Sequence, residues 1–166
     1  AGLIMLDRIE EKNFAIVRKW LAQLERALVR PVSQSLNALF LPQSYWRDVL
    51  ALTWNIQTLC GAETISDAIS EQSKNVGLSN IHLELADMPP RQVTRVGTET
   101  IEAFFIFETI VGRGRGIVRL CPDADDGGRY KAWTFLTALE ELVGYEETTG
   151  VNQPTGRSYL CDFHLE

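Results

Sequence analysis

Apolar residues recur at Leu6, Ile9, Ile16, Trp20, Leu24 and Leu28, with Arg8, Glu11, Lys12, Lys19 and Arg26 between them. That spacing predicts a helix with one buried stripe. Pro31 ends it, and Ser33 or Ser35 is placed to cap a short second helix through Leu39, because a hydroxyl accepts from the free amides of a first turn. Ser44 to Trp54 carries aromatic and β-branched residues without a helical stripe and predicts a strand. Alternation puts Trp46, Asp48, Leu50, Leu52 and Trp54 on one face, and Tyr45, Arg47, Val49, Ala51 and Thr53 on the other. Gly61 then leads into a helix from about Ala62 to Ser73 that buries Ile65, Ala68 and Ile69.

Beyond this helix the period falls from 3.6 to 2, and runs separated by turn residues predict an antiparallel meander. The first run, Ile81 to Ala86, passes through the Met88-Pro89-Pro90 break into Gln92 to Val96. Gly97 and Thr98 turn into Thr100 to Val111, and Gly112 to Gly114 turn into Arg115 to Cys121. Asp123 to Gly128 form a loop before Arg129 to Leu139. Helices first and a long sheet last is an α+β order in which the helices cover one sheet face. A strongly bent sheet over a long helix leaves a concavity, the usual place for a small-molecule site.

Composition narrows the function classes. A chain of 166 residues with 45% hydrophobic content suits one domain, expected over residues 1–149, with 150–166 as a C-terminal tail or a linker to a further domain. The formal charge of -6 argues against nucleic acid or an anionic membrane as partner. With no apolar run of membrane-spanning length and no signal-peptide pattern at the start, the expected compartment is the cytoplasm. Cys60, Cys121 and Cys161 are an odd set without C-x-x-C spacing, which suits reduced thiols.

Several segments carry a family likeness: Ser44-Tyr45-Trp46-Arg47-Asp48, Ala51-Leu52-Thr53-Trp54, Gly61-Ala62-Glu63-Thr64-Ile65, Trp133-Thr134-Phe135, and Leu139 to Glu147. Over about Leu36 to Arg157 the chain resembles the amino-terminal domain that precedes the flavin-binding part of bacterial and fungal flavin-containing monooxygenases. The resemblance implies a cone-shaped, cystatin-like roll of the nuclear transport factor 2-like kind, its curved mixed or antiparallel sheet packed on the N-terminal helices. It also implies that the stretch resembling Gly150 to Phe163 is a connector to a dinucleotide-binding domain, and that FAD and NADP belong to that downstream domain. No cofactor is expected on this chain itself. A G-x-G-x-x-G turn between a strand and a helix is missing; Gly112-Arg113-Gly114-Arg115-Gly116 has Ile117 in place of the third glycine and reads as a hairpin turn.

Other cone-fold enzymes that the chain resembles, such as ketosteroid isomerases, scytalone dehydratase, polyketide cyclases and limonene epoxide hydrolase, perform acid–base chemistry inside the cone. A carboxylate in a dry pocket holds a proton near neutrality. Asp48 is the candidate for that role, since its predicted face carries Trp46, Leu50 and Trp54; the competing structural role is an ion pair with Arg119 or Arg115. Glu102 and Glu108 share a face with Phe104 and Ile106, as second carboxylates or as solvent-facing positions. His82 is a candidate acid or base, with a surface or packed histidine as the plainer reading. Trp46, Trp54, Phe104, Tyr130 and Trp133 would line a pocket for a small apolar or aromatic molecule, or form plain core, with Glu102 and Arg119 as its polar groups. Arg113, Arg115, Arg119 and Arg129 are either a local anion site or a solvated strand pair balanced by Glu99, Glu102 and Asp123 to Asp126. No cluster of ligands predicts a metal, and no nucleophile elbow predicts covalent catalysis.

Three functional expectations follow. One is an accessory cone domain of a flavin-containing monooxygenase-like protein that admits substrate or dimerises. The second is a self-sufficient lyase or isomerase using Asp48, and the third a plain dimerisation or ligand-binding module with an inert pocket, so whether the chain is itself an enzyme stays open. In each of the three a homodimer is expected where the sheet face not covered by helices is apolar.

Overall fold

In the computed structural model, which describes residues 2–84, 89–95 and 97–144, the first apolar stripe forms a helix, α1, over Gly2–Val29. Val17, Trp20, Leu21 and Leu24 are its buried positions. A single turn, α2 (Ser33–Asn37), follows. Neither serine caps it: the residue before the turn is Val32, and the Ser33 hydroxyl donates instead to the carboxylate of Asp67, tying α2 to the later helix α3 (Ala62–Val76).

The strand expected over Ser44 to Trp54 begins earlier and ends sooner, as β1 (Phe40–Val49). A loop replaces its second half, and a strand that was not expected, β2 (Ile56–Cys60), pairs back on β1 antiparallel with Trp46 opposite Leu59. The chain leaves β1 because Leu50 (φ 60°) and Trp54 (φ 59°) both adopt left-handed backbone conformations, which an extended strand excludes. Leu50 and Trp54 therefore do not continue the face of Trp46 and Asp48, and Trp54 is 51% exposed.

After α3 come β3 (Ser79–Leu83), β4 (Arg91–Arg95), β5 (Thr98–Glu108), β6 (Gly112–Asp123), a 3-10 turn at Ala124–Asp126, and β7 (Arg129–Leu142). The sheet runs β2-β1-β7-β6-β5-β3, with β4 also on β5. All pairings are antiparallel except β1 with β7, so the sheet is mixed. Trp133 and Glu140 are extra residues on β7 where its register on β6 shifts, between Arg119/Leu120 and Arg113/Gly114. Such bulges raise local twist and bend the sheet around the helices.

The glycine run is not the hairpin turn. The turn lies at Thr109 to Gly112, where the Thr109 amide donates to the Gly112 carbonyl at 2.8 Å, and Gly112, Gly114 and Gly116 belong to β6. Their purpose is space. A Cβ on Gly116 would sit 2.1 Å from the Phe105 ring and 2.6 Å from the Leu136 carbonyl, and one on Gly114 would sit 2.3 Å from the Phe107 ring. Phe105 and Phe107 are the cross-strand partners of these two glycines, and their rings lie over the bare backbone.

Candidate functional site

The interior of the cone is packed side chains. Trp20, Phe40, Phe105 and Phe135 meet with ring centroids 5.5 to 6.0 Å apart, Phe105 stacked on Phe135 and the other contacts edge-on. Leu36, Leu52, Ile65, Ile69 and Leu120 fill the space around them. The Trp20 indole donates to the Leu39 carbonyl at 3.0 Å, so even its polar atom is satisfied.

Asp48 lies inside this packing, fully buried, as the β1 alternation requires. Its carboxylate faces the returning loop. Oδ2 accepts from the Thr53 amide (2.8 Å), the Thr53 hydroxyl (2.7 Å) and the Leu52 amide (3.1 Å). Oδ1 accepts from the Thr137 hydroxyl on β7 at 2.5 Å, and Thr137 in turn accepts from the Trp46 indole at 3.0 Å. The carboxylate thus fastens the left-handed loop 50–55 to the sheet, with no arginine involved. Neither Arg115 nor Arg119 reaches it; they pair with Glu84 and Glu102 respectively.

The remaining candidates are dispersed. Glu102 and Phe104 lie on the sheet face turned away from the helices, since it is Ile101, Ala103, Phe105 and Phe107 that join the core. Glu102 is not solvent-facing: it is 3% exposed, clamped between Arg91 (2.6 Å) and Arg119 (2.7 Å). Burial pushes its carboxyl up, but the hydrogen bonds and charges of the two guanidinium groups outweigh that and hold it below the ordinary 4.5. Glu108 is half-buried opposite Arg113. His82 is exposed on β3, its Nδ1 2.9 Å from the Asn80 carbonyl. Trp46 is core, Trp133 sits half-buried at the β7 bulge, and Tyr130 is half-buried at the start of β7.

The four arginines singled out in the sequence do not form one anion site. Arg113 pairs with Glu141, Arg115 with Glu84 and Glu140, and Arg119 with Glu102, all on the outer sheet face, whereas Arg129 lies at the other end of β7 beside Asp126. Between these pairs the same face shows Phe104 opposite Ile117 and Ile117 opposite Leu136, all half-buried, with no layer over them among the described residues.

Among the described residues, surface grooves accompany this core, and Asp48 lines none of the four that follow. One, of about 460 Å3, lies between the end of α1, α2 and the start of β7, where Arg26, Arg30 and Arg129 rim a floor that includes Leu39 and Tyr130. A smaller one of about 230 Å3 shares Gln23, Arg129 and Tyr130 with it. A groove of about 450 Å3 runs beside Lys131 and the start of α3, and one of about 310 Å3 passes His82 and Arg18. Of the residues expected to line a pocket, only Tyr130 does so here. Sequence reasoning missed the Arg26–Arg30 pair, whose i, i+4 spacing at a helix end was its one signal. Among the described residues there is no group of three or more potential metal ligands and no helix long and apolar enough to cross a membrane.

No family model and no curated protein matches the chain. Solved structures do. A nuclear transport factor 2-like superfamily protein from Salmonella enterica serovar Typhimurium superposes with a TM-score of 0.54 at 13% identity, over 87% of this chain and 99% of its own. A cystatin-like fold protein from Burkholderia xenovorans gives 0.50 at 18% identity, over 77% and 92%. A DUF4783 family protein from Bacteroides uniformis gives 0.50 at 12%, over 72% and 96%. At such identities the likeness speaks for architecture alone, and the architecture is the α+β cone of the nuclear transport factor 2-like, cystatin-like fold.

Proposed function

We propose that this cone is a non-catalytic assembly domain, which pairs with a second copy through its outer sheet face and serves chemistry located elsewhere. The observation that carries the reading is that face. Phe104, Ile117 and Leu136 form an apolar strip across β5, β6 and β7 that the helices leave uncovered. Around it the ion pairs match Arg91, Arg113, Arg115 and Arg119 with Glu84, Glu102, Glu140 and Glu141. A face balanced in this way meets its own copy across a two-fold axis without a field of like charge, although the whole chain carries -6.

The packed interior supports the non-catalytic half of the reading. A general acid or base must reach a substrate atom, whereas both oxygens of Asp48 are taken up by loop and sheet donors. The resemblance to the amino-terminal domain of flavin-containing monooxygenases fits an accessory part of this sort, with FAD and NADP held by a separate dinucleotide-binding domain. Sedimentation of the purified chain tests the proposal: a species of twice the 18.7 kDa chain mass is expected, and Ile117→Arg should shift it to monomer. Unchanged self-association in that variant would place the interface elsewhere.

A further inference from the structure

We propose that the groove between the end of α1, α2 and the start of β7 binds a small organic acid, its anionic head among Arg26, Arg30 and Arg129 and its apolar body on Leu39 and Tyr130. The inference is independent of the assembly reading, because the groove lies at the opposite end of β7 from the Arg113–Glu141 pair.

Among the described residues Arg26 and Arg30 have no carboxylate partner, and Arg129 has only a long one. On the outer sheet face every arginine of the ion-pair set has a glutamate within 3.6 Å. Lys131, beside the groove of about 450 Å3, is held by Asp123 at 2.8 Å and Asp126 at 3.1 Å, leaving little for a ligand. The groove of about 310 Å3 balances Arg18 with Glu25. The groove of about 460 Å3 is lined by three arginines and by no acidic residue among the described ones. Arg26 makes one long bond, 3.4 Å, to the Ala22 carbonyl; Arg129 reaches Asp126 only at 3.7 Å, and Asp126 is shared with Lys131.

The electrostatics of α1 favour cations at its C-terminal end. Its last carbonyls carry partial negative charge that favours arginines at Arg26 and just beyond, but carbonyls do not neutralise a guanidinium. A carboxylate does so with paired, charge-assisted hydrogen bonds. The floor adds the second half of the recognition. Ala27, Val32, Leu39 and Tyr130 are apolar or aromatic, so a bare inorganic anion would leave that surface wet, while an acid with an aromatic or aliphatic body covers it. The volume lies within the range of ordinary ligand sites, about 300 to 1,000 Å3.

Calorimetric titration of the full chain with naphthalene-2-carboxylate, its neutral carboxamide and inorganic phosphate tests this. The acid should bind saturably at one site, and the carboxamide and phosphate each at least about tenfold more weakly. Arg30→Gln and Arg129→Gln should each weaken the acid by about tenfold, while Arg113→Gln on the outer sheet face leaves it unchanged. Amide NMR shifts on adding the acid should centre on Ala27, Val32 and Tyr130. The proposal is overturned by absence of saturable binding, by equal binding of acid and carboxamide, by phosphate binding as tightly as the acid, or by shifts centred elsewhere.

Discussion

Asp48→Asn is the substitution whose consequence the structure specifies most closely. The carboxylate accepts from two amides and two hydroxyls and donates nothing. An asparagine that keeps its carbonyl toward Thr53 must turn its NH2 toward Thr137. That hydroxyl already accepts from the Trp46 indole and now donates to Asp48. Donor would face donor, and the Thr137 proton would have no acceptor in a fully buried place. Flipping the amide only moves the conflict to the Leu52 and Thr53 amides. Removing a buried charge that has no cationic partner gives some relief, but the lost contacts are the stronger, charge-assisted kind. A buried donor without an acceptor costs about 1–3 kcal/mol, so the melting temperature should fall by about 3–10 °C. Asp48→Ala, which strands all four donors, should fall further. Far-UV circular dichroism during thermal and urea unfolding measures both. In a double-mutant cycle with Thr137→Val the two changes should be less than additive, because valine removes the conflicting hydroxyl. An Asp48→Asn protein within about 0.5 kcal/mol of the parent, the scatter of neutral substitutions, would refute the fastening role and return the carboxylate to the list of groups free for chemistry.

Other changes have equally direct readouts. Gly116→Ala should destabilise by about 1–3 kcal/mol, because its Cβ would meet both the stacked Phe105 ring and the Leu136 carbonyl; Phe105→Leu should recover part of that loss in denaturant unfolding, and none if the backbone clash dominates. Ser44→Ala should be neutral or stabilise by about 1 kcal/mol in urea unfolding, since the buried Ser44 hydroxyl has no partner; a clear loss would mean that the hydroxyl is satisfied. For Glu102, whose folded carboxyl titrates below 4.5, the ion-pair stabilisation is present above its ordinary value and is lost as the pH falls through the lowered one. The stability of Glu102→Gln should therefore approach that of the parent in acid and fall behind above pH 4.5; parallel curves would contradict the pairing.

The elements were legible where one periodicity ran uninterrupted. The stripe through Trp20 and Leu24 made α1, although Val17 is buried and Ile9 exposed, and the alternation expected over Thr100 to Val111 made β5, two residues earlier at its start and three at its end. What escaped was decided by contacts between distant segments. Leu50 and Trp54 carry strand-forming side chains, yet the chain turns there because Asp48 supplies acceptors to Leu52 and Thr53, a local bond outweighing propensity. The glycines of β6 looked like turn residues because a sequence cannot show a phenylalanine ring lying across them. Asp48 was correctly buried and assigned the wrong neighbours. Its alternation fixed the face but not the donors, three of which belong to the loop and one to a strand 89 residues away. Charge pairing was legible only in part: Glu102 and Asp126 were expected among the balancing acids, but Arg113 and Arg115 pair with Glu141, Glu84 and Glu140 instead, and that Glu102 would take two arginines depended on β4 folding back beside β5. The tail 150–166 and the connector resemblance that rests on it lie outside the described residues.

Self-association through the outer sheet face is the centre of this account, and sedimentation equilibrium of the parent chain beside Ile117→Arg tests it most directly. The account predicts a reversible dimer for the parent and a folded monomer, by circular dichroism, for the variant. A parent chain that remains at 18.7 kDa across the accessible concentrations would contradict it.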